Sequence, residues 1–240
     1  LEGLLREEMG FDGLIVTEMV SDFTMRRDGD LVAIKGTEEW KETAEGEPVS
    51  LMQTRKMAVE THELEVTVDA DRLRLRKSDG KDAVFSTIPY EGEILFPHAI
   101  RALHASEGFD RGSSYSFQTF DPDFETVLSF DVAVVGQKEL EIMGETRTLH
   151  ELILRSDMYE GMEFHEWRDS EGTLWRQEIP ALGSAMVRTT SDVASREVEA
   201  VDVLAVSRIE SNARIANPRS VDGAVYELWL EGGDIAEHII

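Results

Sequence analysis

Apolar and polar positions alternate with period two along most of this chain. Leu64-x-Val66-x-Val68, Leu73-x-Leu75, Tyr115-x-Phe117, Leu140-x-Ile142 and Met162-x-Phe164 each place apolar side chains on one face of an extended strand. Leu51 to Val59, Val127 to Val135 and Leu149 to Leu154 are denser apolar runs of strand length. Turn residues fall between these runs: Arg27-Asp28-Gly29-Asp30, Glu45-Gly46, Asp69-Ala70-Asp71, Asp79-Gly80, Phe120-Asp121-Pro122 and Asp169-Ser170-Glu171-Gly172. Asp-Gly and Glu-Gly between alternating runs are hairpin signals. Val84, Phe85 and Ile88 close the first group of strands, and Ala224 to Leu230 reads as the last strand.

Two segments break this period. Phe96 to Gly108 has Pro97 near its start and Gly just past its end, which predicts a helix over about 96–106. Ile94, Leu95, Ala99, Ile100, Leu103 and Phe109 form its expected buried side. Thr190 to Glu197 predicts a short second helix, capped by Thr190 or Ser191. One main helix among so many hairpins implies a mainly β (α+β) fold, a large curved antiparallel sheet wrapped over that helix. The expected organisation is one β-rich domain over 1–240, with 1–15 as a lead segment and 200–240 as a linker towards a further domain.

Composition narrows the function. The 240 residues carry 49 Asp and Glu against 24 Lys and Arg, a formal charge of −25. Such a field repels phosphate backbones and anionic membrane surfaces, so nucleic acid is not an expected partner. Lysine is limited to Lys35, Lys41, Lys56, Lys77, Lys81 and Lys138, and an acid-rich, Lys-poor surface suits high salt, where self-repulsion is screened. There is no cysteine, which excludes disulfides, thiolate-held metal and a Cys nucleophile within this chain, and is consistent with export. No apolar run approaches the roughly 20 residues of a transmembrane helix. The first residues lack a basic region followed by an apolar run, and Leu1 and Ile240 read as the cut ends of a longer protein.

Candidate chemistry is sparse. His62, His150 and His165 each precede a Glu, but Val66, Leu154 and Asp169 stand where a zinc-protease helix needs its second His. His98 and His104 are six apart, share no helix face well, and are expected on the surface or partly buried. Asp28/Asp30, Asp69/Asp71 and Asp121/Asp123 are close carboxylates that fit turns better than a calcium loop. Gly112-Ser113-Ser114 reads as a loop, not a nucleophile elbow. Trp40, Phe85, Phe117, Phe130, Trp167, Trp175 and Trp229 are expected as sheet core, with an apolar ligand cavity as the alternative. No catalytic, metal or ligand-binding residue is assigned, and no cofactor is expected.

Two stretches carry family resemblance. Leu4 to Glu18 resembles the nucleophile-bearing strand of family 3 glycoside hydrolases; Glu18 stands at the place of the catalytic Asp, although most of a barrel precedes that strand in the family. A longer stretch, from about Val16 to Leu230, resembles the β-rich region that precedes the catalytic domain of bacterial transglutaminase-like proteins. The segments are Phe120-Asp121-Pro122, Trp167 to Leu174, Leu182 to Thr190 with Ala194, Asp202-Val203-Leu204 and Ile215-Ala216-Asn217-Pro218, in the family's order. This resemblance implies chemistry by a Cys-His-Asp triad in a following domain. The present chain, lacking Cys, would be its non-catalytic partner: an exported, periplasmic or cell-surface module that positions a protein, peptide or cell-wall substrate. A periplasmic lipoprotein-carrier-like half-barrel is the alternative, and it requires a continuous apolar cavity between the helix and the sheet. A glycosidase fragment is the further one.

Overall fold

A computed structural model describes residues 2–27, 30–57, 60–159 and 161–194. The fold is mainly β, with the antiparallel pairing that the alternation predicts. The strands form two up-and-down sheets rather than one. Sheet A contains β1 (Glu2–Met9), β2 (Ile15–Arg27), β3 (Asp30–Glu42), β4 (Pro48–Met57), β5 (Glu60–Val68), β6 (Arg72–Ser78) and β7 (Ala83–Pro89), paired in that order. Sheet B contains β8 (Ser114–Asp121), β9 (Thr126–Ile142), β10 (Glu145–Ser156), β11 (Glu163–Arg168), β12 (Leu174–Ile179) and β13 (Ser184–Val187). Helix α1 (Pro97–Glu107) stands between β7 and β8 in the chain and interrupts the meander there.

Local chemistry explains the elements. Arg72-Leu73-Arg74-Leu75 buries its leucines and exposes Arg72 and Arg74, as a strand with one wet face must. Pro97 at the first helical turn has a preset φ, and Gly108 ends α1 at φ 75°, a positive φ that glycine adopts without steric cost. The second helix, α2, is limited to Ser191–Ala194 among the described residues. The lead segment is a strand, since β1 pairs with β2 from Glu2↔Asp22 to Met9↔Ile15. The 200–240 stretch and the strand expected at Ala224 to Leu230 lie outside the described residues.

The core has three parts. Trp40, Leu51, Val66, Leu73 and Leu75 of sheet A pack against Ile94, Phe96 and Phe120, so the inner face of sheet A closes on the start of α1 and the end of β8. Phe117, Val132, Val134, Leu152 and Leu154 of sheet B receive Leu95, Ile100, Leu103 and Phe109. Helix α1 is therefore packed on two sides. The third part, Ile142, Leu149 and Trp167 with Leu140 and Trp175, belongs to sheet B alone.

Candidate functional site

Four arrangements of polar side chains deserve consideration as sites, and the first anchors α1. Phe96, at the cap position, offers no side-chain acceptor. Glu42, at the end of β3 and fully buried, supplies it: Oε2 accepts the His98 N–H and Oε1 the Ala99 N–H, each at 2.9 Å. These are two of the donors every helix leaves free at its start. Burial pushes the Glu42 carboxyl up, and the two N–H groups pull it partly back. From β1, Glu7 meets His98 at 3.3 Å and Arg101 at 2.5 Å. Glu42→Ala removes both cap bonds and is expected to cost about 2 kcal/mol in chemical denaturation, with Glu42→Gln losing less because one acceptor survives.

The second arrangement lies on the other side of α1. His104 is fully buried, where the sequence suggested a surface or partly buried residue. Its Nδ1 shares a 2.5 Å hydrogen bond with the Tyr115 hydroxyl, and its ring packs edge-on to Phe117. Desolvation, then the Arg168 charge, push the imidazole down to about 3, so it is neutral at physiological pH. Beside it, buried Arg168 donates from Nε to Glu166 Oε2 at 2.7 Å and from Nη1 to the Gly172 carbonyl at 2.6 Å. Gln177 Nε2 donates to Glu166 Oε1 at 2.9 Å. Burial opposes the charge on Glu166, but Arg168 outweighs it and holds the carboxyl below its usual range. Gly172, at φ 77°, brings this hairpin against α1 so closely that a Cβ there would stand 2.2 Å from the Arg101 carbonyl oxygen. Apart from His104 Nε2, which is buried without a hydrogen-bond partner, these groups satisfy one another, and the arrangement serves packing.

A third network joins the sheets. Gln53 Nε2 donates to Glu38 at 3.1 Å and to Asp123 at 2.7 Å; Trp40 Nε1 also donates to Glu38, and Arg55 pairs with Asp123. Desolvation and, less strongly, the Asp123 charge raise Glu38. Lys77 holds Glu125 at 2.9 Å from the same face of sheet A. The β8–β9 turn is thereby clamped onto sheet A. Within that turn Asp121 Oδ1 accepts the Asp123 and Phe124 N–H groups, the turn role its sequence suggested.

The fourth arrangement is on the face of sheet B turned away from α1. Trp167 has Arg176, its cross-strand partner, on one side and Lys138, reaching across β10, on the other, at 5.6 and 5.5 Å. A register shift at Trp167/Arg168 leaves Trp175 without a partner on β11 and turns it into the same cluster. There Arg147 stacks at 3.9 Å and Arg188 at 5.2 Å, while the Trp175 indole N–H donates to Asp169. The adjoining Trp-Arg pairs at 167–168 and 175–176 were the available sequence signal for this cluster.

The remaining sequence candidates are dispersed. His62, His150 and His165 all lie in strands, which rules out the protease helix. Among the described residues no three metal-ligating side chains converge. The aromatic stripe is divided: Trp40, Phe117 and Trp167 belong to three separate core clusters, Phe85 is exposed and Trp229 lies outside the described residues. The space between α1 and sheet A is occupied by Trp40, Phe96 and Phe120, so the continuous apolar cavity required of a lipid carrier is filled by side chains. Two open clefts, about 470 and 450 Å³, lie instead at the Gly136 bulge and beside Arg155 and Met162. Glu18 sits mid-strand in antiparallel β2, between Arg6 and Glu39, not at the mouth of a parallel barrel.

No family model matches this chain, and no curated protein matches it. Among solved structures, the chain is similar to a β-barrel-like protein of domain of unknown function DUF1849 from Brucella abortus, with a TM-score of 0.55 and 11% identity over 74% of this chain and 80% of that one. At that identity the likeness is one of fold alone.

Proposed function

We propose that this chain is a non-catalytic binding module of an exported transglutaminase-like protein, and that it holds an extended protein segment by strand addition along β7. The observation that carries this reading is the edge itself. β7, Ala83-Val84-Phe85-Ser86-Thr87-Ile88-Pro89, ends sheet A among the described residues and contains no charged residue in a chain that is 30% charged. Phe85 is 73% exposed and Val84 59%. Edge strands are usually protected by charge, a bulge or brevity. β7 pairs with β6 in unbroken register over seven residues, and only Pro89 at its end is a protective device. Such an edge offers backbone groups for affinity and alternate side chains for selectivity. The networks around Glu42, Glu166 and Glu38 are occupied by internal partners, which supports binding over catalysis.

The test is a panel of uncharged seven- to nine-residue strand-forming peptides, titrated by fluorescence anisotropy. Binding is expected, and Phe85→Ala should weaken it about 5- to 10-fold while altering stability by less than about 0.5 kcal/mol. Absence of binding across the panel overturns strand addition. Transamidase or peptidase turnover by this chain overturns the non-catalytic assignment.

A further inference from the structure

We infer that the tryptophan–cation cluster on the outer face of sheet B is a binding site for an oxyanion, the carboxylate or phosphate group of a ligand. Against a net charge of −25, four cations gather on two indoles: Lys138 and Arg176 around Trp167, Arg147 and Arg188 around Trp175. Two of them are already compensated, Arg147 by Glu145 and Arg176 by Glu178. Among the described residues, neither Lys138 nor Arg188 has a carboxylate within ion-pairing distance.

An independent observation points to an acceptor from outside. Trp167 is 3% exposed, yet its indole N–H has no hydrogen-bond partner, and neither has the buried Nε of Arg147. A buried donor left unpaired costs about 1–3 kcal/mol. Both vacant groups are donors, both belong to the same cluster, and the two uncompensated charges beside them are positive. An acceptor carrying negative charge at the buried Trp167 indole N–H would satisfy that donor, with Lys138 over the same ring as its counter-charge. Arginine and indole N–H groups suit the directional, multi-oxygen geometry of carboxylate and phosphate better than a spherical halide. Exposed Lys138, on its flexible stem, can move aside to admit such a group. The nearby carboxylates of Asp169, Glu145 and Glu178 are each engaged by a donor, which lessens their repulsion, and Glu151, directly opposite Trp167 on β10, lies 3.7 Å from the His165 ring.

The experiment follows the indole N–H resonances of the full chain by ¹⁵N NMR, with Trp167→Phe and Trp175→Phe providing assignments. Inorganic phosphate and acetate are titrated separately at constant ionic strength, with chloride as the balancing ion. The Trp167 resonance is expected to shift saturably with at least one oxyanion, phosphate alone indicating a phosphate-bearing ligand and acetate a carboxylate-bearing one. Lys138→Ala combined with Arg188→Ala should weaken that binding at least 10-fold while the other indole resonances stay in place. A shift that never saturates with either oxyanion overturns the site, as does saturable binding that survives the double substitution. Phe85→Ala should leave the titration unchanged, since the two sites rest on different sheets.

Discussion

Lowering the pH from 6.5 towards 3 is expected to remove about 5 kcal/mol of folding stability through His104 alone. The folded imidazole titrates at about 3, against 6.5 for a free histidine. Between those values the unfolded chain carries a proton there that the folded chain does not. Stability therefore rises with pH across the window, by about 1.4 kcal/mol per unit, and this contribution is complete above 6.5. The cause is geometric: protonation places a cation among Tyr115, Phe117 and Arg168, with Glu166 the nearest counter-charge and already committed to Arg168. A domain of ordinary stability, about 5–15 kcal/mol, would lose much of its margin before pH 4. The measurement is urea denaturation of the parent and of His104→Leu from pH 3 to 8. The variant starts lower at neutral pH, because Tyr115 loses its partner. The gap should then narrow as pH falls and reverse in sign near the bottom of the window. A gap that stays constant with pH would show that His104 does not titrate there.

The second large effect concerns the buried ion pair. Arg168→Met is expected to cost about 3–5 kcal/mol, because it leaves the Glu166 carboxylate buried with Gln177 as its hydrogen-bonding partner and frees the Gly172 carbonyl. Combining it with Glu166→Leu should recover most of that loss, since the penalty arises from an uncompensated charge rather than from the absence of a bond. Thermal and urea unfolding of the two single variants and the double variant give the coupling directly. If the double variant is as unstable as the sum of the singles, the two residues do not act as a pair. The same variants bear on α1, because Gly172 presses on the Arg101 carbonyl.

The strands were legible because their cause is local. Alternation in Leu64 to Val68 and Leu73 to Leu75, with Asp-rich turns between them, fixes both secondary structure and register within about fifteen residues. Division into two sheets was not legible. It depends on α1 standing where a hairpin would otherwise join β7 to β8, and no periodicity records which strand a later one will accept. His104 was misread for a related reason. A helix with one buried side leaves that position wet, but α1 is packed by sheet A and sheet B together. Glu42 caps a helix 56 residues away, and a cap supplied from a distant strand has no sequence signature. Trp175 reaches its cluster through a register shift, which reverses the face that strict alternation assigns. For the candidate sites, the composition of β7 was visible in the sequence while its position at an edge was not.

The up-and-down order of both sheets has a consequence for how the chain reaches this structure. Among the described residues every strand pairs with a sequence neighbour, so all eleven strand pairings can zip by closing loops of a few residues, at small entropic cost. The expensive closures are few and identifiable: the β8–β9 turn coming onto Gln53, Arg55 and Lys77, and α1 coming onto Glu42. These long-range closures bring charged contacts together with the apolar packing of Phe96 and Phe120 on Trp40 and Leu51, and they carry the larger loop-closure cost. Salt, which screens the charged contacts and also relieves the repulsion of 49 carboxylates, acts on these closures from both directions.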